Sequence, residues 1–277
     1  MTDHTNPQLP ERPNPEMSFE HLYTPDHLRR RREAVAKQEG ELWKGVDDSD
    51  PKCPAGHARG IRISVSITSN YRRTHKKDAM DIQPQDVIDV LIAAGIKKWV
   101  LMGLHGYVGY LPQPRATQDV DVLIRQSDRK RAVKAVHEAW PMLVVEELEP
   151  VVRFKDPADC FNDGRPKPVI DLMLAWSDLN EAILKESEYV VLDEETQHVV
   201  PTVEAALASK YAALISDYRE LEKKEYDAGD FRRIALANYD QVRREPLRRL
   251  GDLVWNGGGA ELEEFLELAY QQKPFPV

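Results

Sequence analysis

Apolar and polar positions change their rhythm near Met80. Beyond it apolar residues recur densely and periodically. Residues 86–94 carry Val87, Ile88, Val90, Leu91 and Ile92 on helical spacing, and Gly95 is placed to end that helix. Residues 98–102 read as a short strand through Trp99, Val100, Leu101 and Met102. Gly103 turns the chain, and a helix is expected to run to Tyr110. Residues 119–124 form a second expected strand, and Ser127 is positioned to cap a helix over 127–140. Residues 142–148, 151–154 and 168–174 read as further strands. Residues 202–217 and 227–242 read as helices, 255–259 as a glycine-rich loop and 261–271 as a last short helix. Helices alternating with strands, then helices alone, predict an α/β (α+β) fold with a mixed β-sheet core flanked by helices and a helical C-terminal part.

Upstream of Met80 the pattern is thin. Residues 1–16 hold Pro7, Pro10, Pro13 and Pro15 among polar residues and should be disordered. Residues 27–43 read as a charged helix and 47–60 as a linker. Residues 61–68 alternate Ile61, Ile63, Val65 and Ile67 with polar positions, the period of a short strand. The expected organisation is therefore a mostly disordered or poorly packed extension over 1–79, a core over 80–195 and a helical region over 196–277. The contrast also makes Met80 a candidate start of translation.

The 277 residues are enough for a sizeable core. Hydrophobic residues at 42% and charged residues at 31% fit a soluble globular chain. No run approaches the roughly 18 apolar residues of a membrane helix, and the N-terminus lacks a secretory apolar core. A cytoplasmic protein that does not use a membrane is the expectation. The net charge of −9 shows no overall basic surplus for duplex nucleic acid. The basic runs at 29–32, Lys76-Lys77 and 129–131 read as solvated faces. Cys53 and Cys160 lie far apart, as in a reduced compartment. Cys53 and His57 offer two ligands where a structural zinc needs four, so that segment reads as an ordinary loop.

Asp119 and Asp121 change the picture. Two apart on a strand, they share one face while Val120 and Val122 take the other. Such a pair can bridge divalent cations, which take one or two carboxylates plus substrate phosphates. Asp171 sits in the apolar run 169–174, where an unpaired acid is costly to bury. A cation shared with Asp119 and Asp121 would remove that cost, if the two strands are neighbours. Exposed strand acids, and a hydrogen-bonded acid at position 171, are the plain alternatives. Gly103, Gly106 and Gly109 around a helix start allow an anion to approach free backbone N–H groups, or serve turn geometry alone.

Residues 99–103, Gly106 and the stretch Pro114-Arg115-Ala116-Thr117-Gln118-Asp119-Val120-Asp121-Val122-Leu123-Ile124 resemble the DNA polymerase β-type nucleotidyltransferase superfamily, and within it the AbiEii-type (MenA-like) minimal nucleotidyltransferases. The turn carries Leu104 where the family pattern has glycine or serine. Downstream, the segment from Val200-Pro201 to Lys210 is similar to the family's lysine-bearing helix, and Arg219, Lys223, Lys224, Asp227 and Asp230 form a looser version of its next motif. The resemblance covers about residues 82–238. It implies a nucleotidyltransferase with Asp119, Asp121, Asp171 and Lys210 as catalytic residues and the three aspartates holding Mg2+ (or Mn2+). It also implies that Gly103, Leu104, Arg115 and Thr117 bind the nucleoside triphosphate. The acceptor hydroxyl would belong to RNA such as tRNA, a protein or a small molecule, and a toxin role with an antitoxin partner is implied. One alternative is a non-catalytic nucleotide-binding or regulatory protein on a degenerate form of the same fold. A metal-dependent nuclease is disfavoured, because Leu172 and Met173 follow Asp171 where a lysine would be wanted.

Overall fold

The five-stranded sheet that organises the molecule is mixed, and its single parallel pairing carries the candidate site. The computed structural model describes residues 24, 26, 27, 29–31, 33, 34, 55–192 and 196–276. The chain divides into two units, residues 1–48 and 49–277. In the first unit, residues 26, 27, 29–31, 33 and 34 are helical. The expected disorder over 1–16, most of the helix over 27–43, and Cys53 lie outside the described residues.

The second unit opens with helix α1 (Ala55–His75), followed by α2 (Pro84–Ala93), strand β1 (Trp99–Leu101) and the one-turn helix α3 (Gly103–Tyr107). A 3-10 turn over Val108–Tyr110 and an irregular loop lead to β2 (Val120–Arg125) and α4 (Arg129–Ala139). Then come β3 (Val144–Glu147), β4 (Val151–Cys160), β5 (Pro166–Ala175), α5 (Asp178–Glu186) and the hairpin β6 (Glu188–Val191) and β7 (Gln197–Val200). Helices α6 (Val203–Ile215), α7 (Leu221–Asn238), α8 (Arg244–Asp252) and α9 (Gly258–Tyr270) complete it.

The sheet order is β1-β2-β5-β4-β3. Strand β2 runs parallel to β5, and the other neighbours are antiparallel. Central strands buried on both sides explain the near-continuous apolar runs: Val122, Leu123, Ile124, Ile170, Leu172 and Leu174 are all fully buried. The mixed α/β architecture with helices around one sheet is thus as the pattern predicted.

Local chemistry sets several element ends. Pro84 starts α2, where its missing N–H costs nothing, and the Asp86 carboxylate accepts from the Gln83 backbone N–H at 2.8 Å. Thr202 caps α6 by accepting from the Ala205 N–H at 3.2 Å. The C-terminal helices pack through a ring cluster of Phe231, Phe265 and Phe275, and Arg243 of the loop before α8 grips the buried Glu204 of α6.

Several expectations are corrected. Residues 61–68 are not a strand but the middle of α1, and the linker over 47–60 gives way to helix at Ala55. The apolar residues there alternate, yet the buried face is Ile61, Ser64, Thr68 and Arg72, a helical spacing of mostly polar side chains. Hydrophobic periodicity could not see a buried polar face. His57 belongs to this helix, not to a loop. Helix α1 packs closely enough that a Cβ on Gly109 would meet the His57 backbone at 2.7 Å. Residues 55–75 are helical and belong to the same compact unit, 49–277, as the sheet. Ser127 does not cap α4; it lies in a 3-10 turn over Gln126–Asp128. Asp119 precedes β2 rather than opening it. Helix α3 ends at Tyr107, and α9 begins inside the expected glycine-rich loop. No helix among the described residues is long and apolar enough to cross a membrane.

Candidate active site

Parallel pairing of β2 and β5 sets Asp121 directly opposite Asp171. Residues in register on neighbouring strands send their side chains to the same face. Asp119, one residue before β2, stands close enough to add its repulsion to both. The two strands are thus neighbours, the condition on which convergence of the three acids depended. Asp121 is half-buried, and burial first, then the charges of Asp119 and Asp171, push its carboxyl well above the ordinary range. Asp171 is pushed up to about 6, by burial first and by Asp119, against the partial relief of Arg153. Arg153 faces it from β4, with Nε 3.5 Å from Asp171 Oδ2. Asp171 Oδ1 is buried and has no hydrogen-bond partner.

Gly103 is the spacer that makes room. Its φ is +56°, a region L side chains avoid, and a Cβ there would sit 1.8 Å from Asp121 Oδ2. Bare glycine at the start of α3 therefore lets the turn lie directly against a carboxylate. Leu104 next to it is buried in the core. Helix α3 then reaches Tyr107, whose hydroxyl donates to Asp230 Oδ2 at 2.6 Å.

Tyr107 joins the acidic group to a second, basic group. Lys210 on α6 donates to Asp227 at 2.7 Å and to Asp230 at 3.1 Å, both on α7, and lies 4.7 Å from the centre of the Tyr107 ring. Arg115 donates to both oxygens of Asp230, at 2.8 and 3.0 Å. Arg219 pairs with Asp227 at 2.8 Å. Burial alone would raise the Asp230 carboxyl, but Lys210, the Tyr107 hydroxyl and Arg115 outweigh it and hold it low. The reverse holds for Lys210, which burial would neutralise and which Tyr107, Asp230 and Asp227 keep charged. Lys210, Arg115 and Arg219, with Arg233 at 3.8 Å from Asp230, thus stand over two buried carboxylates, and Lys210 and Arg219 lie near enough to lower Asp121 in turn.

The loop that delivers Asp119 is held from α1. Ser64 donates to the Arg115 carbonyl at 2.7 Å, Thr68 to the Thr117 carbonyl at 2.9 Å, and Arg72 to the Gln118 carbonyl. The Thr117 hydroxyl donates to Asp119 Oδ1.

Every acidic ligand candidate offers oxygen, the donor that hard divalent cations take. The orphaned Asp171 Oδ1 and the mutual repulsion of the acids fit such a cation. Among the described residues no group of three or more acidic, histidine or cysteine side chains is placed to hold a metal ion as they stand. Cavities of about 310 and 390 Å³ lie elsewhere, and none of the three aspartates lines either.

Asp119, Asp121, Asp171, Gly103, Arg115, Thr117 and Lys210 stand out in the sequence, and all seven fall in these two adjoining groups. Arg115 was expected to bind the triphosphate and Lys210 to act in catalysis; both are occupied by Asp230. Ser64, Thr68, Arg72, Tyr107 and Arg153 were not expected there. The i, i+4, i+8 spacing of Ser64, Thr68 and Arg72 was the available signal for the first three.

No family model and no curated protein matches the chain. Among solved structures, the chain is similar to an antigenic nucleotidyltransferase-like protein from Paracoccidioides brasiliensis, at 16% identity and TM-score 0.36, over 65% of this chain and 91% of that one. So low a score adds nothing to the case made by the residues.

Proposed function

We propose that this chain is a metal-dependent nucleotidyltransferase that moves a nucleoside monophosphate from a nucleoside triphosphate to an acceptor hydroxyl. The observation that carries this reading is the register of Asp121 with Asp171 on parallel strands, with Gly103 cleared of a side chain against Asp121. Asp119, Asp121 and Asp171 would hold Mg2+ or Mn2+, which when bound neutralises their clustered charge and acidifies the acceptor hydroxyl. The acceptor oxygen bonds to the α-phosphorus, the bond from that phosphorus to the bridging oxygen breaks, and pyrophosphate leaves. Asp171, whose Oδ1 is buried without a hydrogen-bond partner beside Asp121, suits the role of taking the hydroxyl proton. Lys210, Arg115 and Arg219 give the neighbouring group a net positive charge over Asp227 and Asp230, which favours the triphosphate tail there. Thr117 orients Asp119. RNA such as tRNA, a protein and a small molecule are the acceptor classes, and a toxin role with an antitoxin partner accompanies the AbiEii-type resemblance.

A second reading, a nucleotide-binding regulator without transfer, draws on one observation: Asp230 already occupies Arg115 and Lys210. Calorimetric titration with each of the four common triphosphates and Mg2+ tests the site. Binding that needs Mg2+ and disappears in an Asp119→Ala/Asp121→Ala variant supports it. Mg2+-dependent binding unchanged in that variant sinks the enzyme reading.

A further inference from the structure

The loop between Leu111 and Asp119 has no regular secondary structure and contains two prolines, Pro112 and Pro114. Such a segment cannot satisfy its own backbone carbonyls, and without partners it would drift. Yet it must deliver Asp119 to within interaction range of Asp121 and Asp171. Nothing in the β-sheet does this, because β2 starts only at Val120.

Helix α1 supplies the partners. Ser64, Thr68 and Arg72 are spaced by four residues, so they form one stripe along the helix. Their side chains reach the carbonyls of Arg115, Thr117 and Gln118 in the same order as the loop runs. Arg72 is only 5% exposed, and its fork reaches further acceptors, donating also to the Ile82 carbonyl at 3.2 Å and to Asp81 at 3.1 Å. The loop is therefore tied to α1 on one side and to the segment before α2 through the same guanidinium. The last tie is one residue from Asp119, and the Thr117 hydroxyl completes the chain of bonds to the Asp119 carboxylate. The buried ring of His105 on α3 lines the same small cavity as Thr68, Arg72, Thr117 and Gln118.

We infer that α1 is the positioning element of the carboxylate site, with Arg72 as its principal positioning residue and Ser64 and Thr68 as its helpers. None of the three touches the reacting atoms. They act through Asp119, by holding the carbonyls of the loop that carries it. The inference rests on the proposed function for its metal-binding consequence only; the stapling of the loop stands apart from it.

The buried polar stripe is otherwise hard to account for. A helix that served packing alone would turn Ile63, Ile67 and Tyr71 inward, yet Ile67 and Tyr71 are exposed while Thr68 and Arg72 are buried. Arginine is also specific here. Its planar fork reaches three acceptors in fixed directions, whereas lysine offers a point charge on a flexible stem.

The test uses the full chain in four forms: wild type, Arg72→Met, Arg72→Lys and Ser64→Ala/Thr68→Ala. Two quantities are read. Amide hydrogen exchange is followed in the peptides covering 111–120, and Mn2+ affinity is followed by electron paramagnetic resonance. The expected result is at least tenfold faster exchange confined to that loop in Arg72→Met, at least tenfold weaker Mn2+ binding, and partial rescue of both in Arg72→Lys. The double alanine variant, the milder perturbation, is expected to show the same pattern at smaller size should Arg72→Met fold poorly. Unchanged exchange in the loop for the folded variants would overturn the inference. So would wild-type Mn2+ affinity in a variant whose loop exchange has risen. Absence of Mn2+ binding in the wild type would count against the proposed function instead, and the exchange measurement would still decide the stapling.

Discussion

Replacing Gly103 with alanine should separate stability from metal binding. Two effects act at that position. The backbone has φ +56°, so an alanine there pays the left-handed penalty of about 1–2 kcal/mol. The added methyl would sit 1.8 Å from Asp121 Oδ2, 2.8 Å from its Cγ and 3.2 Å from its Cβ. All three contacts are to one side chain, so the clash is relieved if Asp121 alone swings away. That movement takes Asp121 from two repelling carboxylates, which returns part of the strain. The expected loss of stability is therefore modest, about 1–2 kcal/mol, well below the cost of overpacking a rigid core. The functional loss is larger. Ordinary van der Waals contact begins at 3.4 Å, so the carboxylate must retreat by about 1.6 Å. Misplacement by about 1 Å can cost a hundredfold in rate. Urea unfolding with and without Mg2+, together with Mn2+ titration, measures both. Gly103→Ala should lose most of its Mn2+ affinity and its stabilisation by Mg2+ while remaining folded. Wild-type Mn2+ affinity in the alanine variant would refute the reasoning.

Other outcomes follow from the same geometry. Asp171→Asn should raise stability by about 1–3 kcal/mol at pH 7 in metal-free buffer, since the native acid is held near 6 and its charge is unfavourable there; the urea midpoint checks this, and the same variant should lose transfer activity. Lys210→Ala leaves Asp227 with Arg219, and Asp230 with Arg115 and the more distant Arg233, as counter-charges, and should cost about 2–4 kcal/mol by thermal or chemical unfolding, with Lys210→Arg recovering part. Burial depresses His57 to about 3 and both His105 and His198 to about 4, so all three are neutral in the folded chain. Their stability contribution is complete above about pH 6.5 and is lost as pH falls towards 4. Asp171, Asp121 and Glu188, all raised, work in the opposite sense, while Asp230 and Glu204, both held low, add to the three rings, and the urea midpoint should fall on acidification; a flat profile from pH 7 to 4.5 would contradict the burial of these rings.

How much of this was legible in the sequence depends on which physical signal each part left. Strands β1, β2 and β5 announced themselves because doubly buried strands are apolar at nearly every position, as in 120–124 and 169–174. Asp171 stood out for the same reason: a charged residue in such a run is visible by contrast. Its register with Asp121 was not legible, because parallel pairing brings together residues fifty positions apart. Helix α1 was misread because its buried stripe is polar, and the alternating isoleucines beside it mimic a strand. The network on Asp230 was half legible. Asp227 and Asp230 were visible as a motif, but only the fold shows that Tyr107, Arg115 and Lys210 all converge on Asp230. Helix α8 left little trace, since its apolar residues Leu247 and Leu250 are few among its arginines and acids.

The central claim is that Asp119, Asp121 and Asp171 act together in nucleotide transfer. Triphosphates labelled at the α-phosphate, incubated with the purified chain, Mg2+ and a cell extract, test it most directly. The expected result is covalent label on RNA, protein or a small acceptor that requires Mg2+ and is abolished in Asp119→Ala/Asp121→Ala. Absence of attached label with a folded wild-type chain, or equal labelling by the double variant, would contradict it.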